Sequence, residues 1–175
     1  MKRIILSICF LILTNLAIGK EASVNYAESL SNNLTKFHRD MRKNSTETRR
    51  KALQNLFPSQ ADLKILFPND ADMLWAKLSV YQKKMLQHID QVAKELNRDE
   101  WIEIKTIDVR KNDPSGRYKN VLKVIPENIP IFRVIRKGKK RSAGSSSYLY
   151  INGRWIHLQG LEMIPMLIAR SKTVK

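Results

Sequence analysis

Cysteine is nearly missing from this chain: Cys9 is the single one in 175 residues. It sits in the apolar opening stretch, so everything downstream lacks a thiol. That excludes thiol catalysis, a disulfide scaffold and cysteine-ligated zinc. Histidine is almost as scarce, with His38, His88 and His157 alone. No spaced cluster of histidines or carboxylates supports a metal site, and no cofactor is expected. Acidic residues number 16 against 32 basic ones, for a net charge of +16.

The long apolar run is confined to the start. Lys2 and Arg3 precede an apolar stretch over residues 4–18, broken by Ser7, Thr14 and Asn15, with small Ala17 and Gly19 at its end. Residues 1–19 read as a cleavable signal peptide, too short and too polar at the end for a transmembrane helix of ~20 residues. Cys9 does not suit lipidation, because bulky Ile8 precedes it and the lead is short. The expected location is secreted or periplasmic. A cysteine-free exported domain leans toward a bacterial source, and the sequons at Asn33 and Asn44 matter only in a eukaryotic one. About 155 residues remain, enough to bury a core without staples. One domain is expected, with a helical half over 20–100 and a sheet half over 101–175.

Without Lys2 and Arg3 the chain keeps 30 basic residues against 16 acidic, about +14. Residues 20–100 hold 14 basic and 11 acidic side chains; residues 101–175 hold 16 and 5. The excess therefore belongs to the second half, and it favours anionic partners.

In the first half, Ala27, Leu30, Leu34, Phe37 and Met41 recur every three or four residues, predicting a helix over about 23–43. Ser45 caps a second, whose buried edge is Ala52, Leu53, Leu56 and Phe57 and which Pro58 ends. A short echo follows: residues 56–62 and 66–72 both read Leu-Phe-Pro, a capping residue (Ser59, Asn69), then Asp three positions on. Each copy is expected to start a helix; the carboxylates lack the spacing of a calcium loop. The second copy opens one long helix over about 70–96, with Trp75 and Met85 read as core.

From Trp101 the period changes to two. Ile102 and Ile104 give way to Ile107 and Val109, which predicts a strand with a one-residue bulge after Thr106. Residues 121–125 and 131–135 read as two further strands. Asn152-Gly153 predicts a two-residue hairpin. Its register puts Leu149, Ile151, Ile156 and Leu158 on one face, and Tyr148, Tyr150, Trp155 and His157 on the other.

Helices followed by a twisted antiparallel sheet make an α+β fold. The element order, with Asn152-Gly153-Arg154-Trp155, resembles the NTF2-like and cystatin-like domains. That resemblance implies a curved sheet wrapping a helix, and in NTF2-like domains a pocket between sheet and helices, used by some members for catalysis and by many for binding.

Two regions carry candidate chemistry. The ring set Tyr148, Tyr150, Trp155 and His157 suits a flat or sugar-like ligand, or else forms core under the first helices. His157 is the candidate acid or base, with Asp108 as a possible orienting carboxylate; His38 and His88 lie on helices. A triad from residues 145–147 lacks a nucleophile elbow. The second region is Arg133, Arg136, Lys137, Lys139, Lys140 and Arg141, which either grips phosphates, acidic polysaccharide or an anionic membrane surface or is simply a solvated loop. Three functional readings follow. The first is a binding module for an anionic polymer, acidic protein or membrane surface, using Arg136, Lys139, Lys140 and Arg141 for charge and Tyr148, Tyr150 and Trp155 for contact. The second is a small NTF2-like pocket enzyme using His157. The third is a structural envelope component.

Overall fold

A computed structural model describes residues 25–97, 101–113, 116–138 and 144–173. The expected signal peptide lies outside them, as do Lys139, Lys140 and Arg141. Helices come first and a four-stranded antiparallel sheet follows, an α+β architecture.

Helix α1 spans Tyr26–Met41. The Asn25 side chain accepts from the Glu28 amide at 3.3 Å, satisfying one donor that a helix start leaves without a partner. Its apolar stripe, Leu30, Leu34, Phe37 and Met41, is buried. Helix α2, Thr46–Leu56, starts at Ser45, whose hydroxyl accepts from the Thr48 amide at 3.2 Å. Helix α3, Gln60–Leu66, has a full capping box in which Ser59 and Asp62 bond each other's backbone amides.

The second copy of the echo behaves differently. Helix α4, Ala71–Gln87, has Asp70 as its N-cap with no side-chain capping bond, so Asn69 is not the cap expected from sequence. The single long helix also divides: α4 ends at His88 and α5 runs Ile89–Asn97. The physical reason is that the two pieces serve different cores. Ala71 and Leu74 pack with the aliphatic side of the sheet, whereas Ile89 and Ala93 pack with the aromatic side. One straight stripe cannot face both.

The strands are β1 Trp101–Asp108, β2 Ile131–Gly138, β3 Gly144–Ile151 and β4 Arg154–His157, in the order β1-β2-β3-β4. The hairpin register is the expected one: Tyr148 opposes His157, Leu149 opposes Ile156, Tyr150 opposes Trp155 and Ile151 opposes Arg154. Asn152 and Gly153 both take positive φ, 50° and 75°, as a type I′ turn requires.

Two expectations for the sheet half fail. The irregularity in β1 falls between Trp101 and Glu103, not after Thr106. The apolar residues change parity because Val109 is buried in the aliphatic core while Ile104, on the other face, stays exposed. Residues 121–125 form no strand; Val121–Lys123 is a 3-10 turn. Val121 and Ile125 are both buried, and the Ile125 amide donates to the Val121 carbonyl at 3.0 Å. A spacing of four with that bond is helical, so the apolar pair faces one side without extending the chain.

After Leu158, Gly160 at φ 67° leads into a second 3-10 turn, Leu161–Met163, and helix α6, Ile164–Thr173. Each face of the sheet carries part of a core, while Lys105 and Lys137 on one face and Ile104 on the other stay exposed. On one, Ile131, Leu149, Ile151 and Ile156 meet Leu63, Leu66, Val121, Leu161 and Ile164. On the other, Phe132, Val134, Tyr148 and Trp155 meet Leu30, Leu34, Leu53 and Ile89. Each core draws residues from both halves of the sequence.

Candidate binding site

The aromatic face divides in two. Tyr150 and Trp155 lie under α1: the Tyr26 ring stands 5.2 Å from Tyr150 and 6.3 Å from Trp155, centroid to centroid. Phe132 meets Trp155 edge-on at 5.7 Å. The Trp155 indole donates to Ser29 Oγ at 3.1 Å, and Trp155 is only 2% exposed. This half is core.

Tyr148 and His157 sit differently. Their rings are 5.1 Å apart and inclined by 30°. They line a cavity of about 110 Å³ between the sheet and α1, α2, α4 and α5, with Phe37, Leu53, Leu56 and Met85 among its walls. Arg136 completes its polar floor. A wider groove of about 570 Å³, with Lys84, His88 and Glu95 on its rim, shares Met85, Val92, Leu96 and Arg136 with the cavity. The cavity and the groove therefore adjoin at the α4–α5 joint.

Arg136 is the main correction to the sequence-based site. The sequence expects it on a cationic surface, but it is 8% exposed. Residues 132, 134 and 136 alternate onto the helix-covered face of β2, and its Nη2 donates to the Tyr148 hydroxyl at 2.5 Å. The guanidinium carbon lies 5.9 Å from that ring's centroid. Burial, then the nearby Arg136 charge, lowers the pKa of His157 to about 4. Burial, Arg136 and Arg42 do the same to His38. Both imidazoles are neutral at pH 7. Burial raises the pKa of the Tyr148 phenol, against the opposing pull of Arg136.

The other candidates do not converge. Asp108 and His157 share a face and a row across the sheet but stand on opposite edge strands. Three inter-strand spacings of ~4.8 Å put them about 14 Å apart. Asp108 is engaged locally, accepting from the Arg110 amide at 3.0 Å and lying 3.7 Å from Lys111. Ser145 and Ser147 project from the face opposite His157: Ser145 accepts from Arg133 at 2.9 Å, and Ser147 shares a 2.7 Å bond with the Tyr118 hydroxyl. They make no triad with it. Among the described residues, no group of three His, Cys, Asp or Glu side chains is arranged to hold a metal ion.

The face of the sheet opposite Arg136 carries a second feature. Beyond the buried Ile131–Leu149 row it emerges into solvent, where Lys105, Arg133 and Lys137 are brought together by the β1–β2 register. Lys105 is not legible in the sequence as part of this group because it is distant in the chain from residues 133–141. The cavity walls Phe37, Leu53, Leu56 and Met85 are hidden for the same reason: each lies on a helical stripe whose partner is fixed only by packing. The chain matches no protein-family model, no curated protein and no solved structure.

Proposed function

We propose that this is an exported binding module that takes an anionic polymer on the open basic face of its sheet. The observation that carries the reading is the grouping of Lys105, Arg133 and Lys137 on that face. Arg133 and Lys137 lie four residues apart on β2 and therefore share a face, about 14 Å from each other at the ~3.4 Å rise per residue, with Lys105 opposite Ile135 between them. The Arg133 guanidinium is oriented by its bond to Ser145 Oγ. Glu103 stands opposite Lys137 in the register, so one acidic position offsets part of the charge at that end of the row. A row of cations at this spacing suits a polyanion, whose bound counterions are released on contact. Charge is supplied by Arg133, Lys137 and Lys105 rather than Arg136, and contact area by Ile135 between them rather than by Tyr148, Tyr150 and Trp155, which face the helices.

The test is retention and affinity on heparin, as a model polyanion, over a salt series. The expected result is a steep loss of affinity with salt, with a further loss in the triple variant Lys105→Gln, Arg133→Gln, Lys137→Gln. Salt-independent binding, or binding indifferent to that variant and to neutralising Lys139, Lys140 and Arg141, overturns the reading.

A further inference from the structure

The Tyr148 hydroxyl is 2.5 Å from Arg136 Nη2. A guanidinium has only donors, so the phenol oxygen accepts this bond and its own proton must go elsewhere. Among the described residues the Tyr148 hydroxyl makes no second hydrogen bond. Tyr148 is 2% exposed and lines the cavity over the sheet. A buried donor left unmatched is costly, and a ligand that brings an acceptor within its reach removes that cost.

The rest of the cavity says what else the occupant looks like. Its walls are mostly aliphatic and aromatic; the Gln82 amide is already committed to the Pro58 carbonyl at 2.9 Å, and the Gln159 amide oxygen accepts from the Tyr81 hydroxyl at 2.8 Å. The His157 ring offers a flat floor beside Tyr148. A volume of about 110 Å³ is somewhat below that of the roughly 150 Å³ apolar cavity that admits benzene, so the occupant's body is no larger than a single ring. A longer substituent would extend toward the adjoining α4–α5 groove, which shares Met85, Val92 and Leu96 with the cavity. Arg136 also lines the cavity, but it already donates to Tyr148 and is engaged beyond that bond, so its charge does not call for a bound anion, and an ionised carboxylate would leave most of its roughly four lone-pair sites against apolar walls.

We propose that this cavity binds a small, neutral, mostly apolar molecule carrying one carbonyl oxygen, which accepts the Tyr148 hydroxyl proton while the apolar body packs against Phe37, Leu53 and Leu56. The assignment is independent of the polyanion surface on the other face.

Acetophenone, ethylbenzene and benzoate are the probes, titrated into the protein by calorimetry. Acetophenone is expected to bind more tightly than ethylbenzene, and benzoate more weakly than acetophenone. Tyr148→Phe is expected to lower acetophenone affinity about five- to tenfold and to leave ethylbenzene unchanged. Val92→Phe, which adds bulk where the cavity meets the groove, is expected to abolish both. The infrared stretch of bound carbonyl-labelled acetophenone should lie below that of the ketone in hydrocarbon; this wild-type measurement decides the matter even if a variant fails to fold. An unshifted carbonyl, equal binding of ketone and hydrocarbon, tighter binding of benzoate, or no binding of acetophenone overturns the proposal.

Discussion

Arg154, at the start of β4, is ion-paired with Asp62 on α3, ninety-two residues earlier in the chain. Asp62 is 1% exposed, and it also closes the capping box with Ser59 and accepts from Asn152 Nδ2 at 3.0 Å. Arg154 in turn donates to the Asn55 and Phe57 carbonyls at 2.9 and 3.1 Å. One carboxylate thus starts a helix and docks the hairpin turn onto the α2–α3 junction.

Replacing Asp62 by Ala should therefore be severe. It removes a cap and leaves a partly buried guanidinium without its anion, a loss of about 2–4 kcal/mol. For a domain of this size the melting temperature should fall by roughly 5–12 °C. Asp72, the matching residue of the echo, only accepts from the exposed Gln60 amide, so Asp72→Ala should stay within about 0.5 kcal/mol. Thermal melts of both variants check the contrast; equal effects would remove the docking role given to Asp62.

Acid should destabilise the protein through His38 and His157. Both are held near pKa 4, below the ordinary histidine value of 6.5, by burial first and the Arg136 charge second. The unfolded chain then binds more protons than the folded one between about pH 6.5 and 4. Stability is complete above 6.5 and declines as pH falls through that window. For His157 the slope should reach at most roughly 1.4 kcal/mol per pH unit. Urea denaturation at pH 7 and pH 5 measures it, and His157→Gln should flatten the dependence.

The turn at Gly153 is a test of backbone conformation alone. Its φ is 75°, and an added Cβ would meet nothing within 4 Å. Gly153→Ala should thus cost only the left-handed penalty, about 1–2 kcal/mol, with no loss from crowding. Chemical denaturation gives the value; a near-neutral result would mean that the turn readily adopts another type.

Ser29 and Trp155 form the bond that ties α1 to β4. Ser29→Ala should leave the indole N–H buried without an acceptor and cost about 1–2 kcal/mol. Trp155→Phe in the same background should lose little of that bond energy again, because the donor is gone too. A double-mutant cycle on unfolding free energies reads the coupling.

Local chemistry was legible in the sequence. The caps at Ser45 and Ser59, the buried stripe of α1, and the Asn152-Gly153 turn with its register all depend on residues within a few positions of each other, so short-range sterics and hydrogen bonding determine them. The same reasoning separated the aliphatic face of the hairpin from its aromatic face. What it missed were choices made by distant partners. The 70–96 helix breaks at His88 because its ends serve different cores, and residues 121–125 become a turn because one side alone of that segment meets apolar neighbours. Ser59 and Asn69 stand in near-identical contexts, yet Ser59 alone caps.

Arg136 is the clearest case of a decision left to the tertiary structure. In the sequence it belongs to a run of cations. In the fold, strand alternation turns it under the helices, while Arg133 and Lys137 stay on the open face with Lys105. Alternation follows from the sequence once the strand is known, but which helices cover each face, and how far along the strands, does not. Apolar residues lie on both sides of the sheet, so composition is indifferent between them; only the docking of α1, α2 and α5 against Phe132, Val134 and Tyr148 makes one arginine a buried donor and leaves its neighbours to solvent.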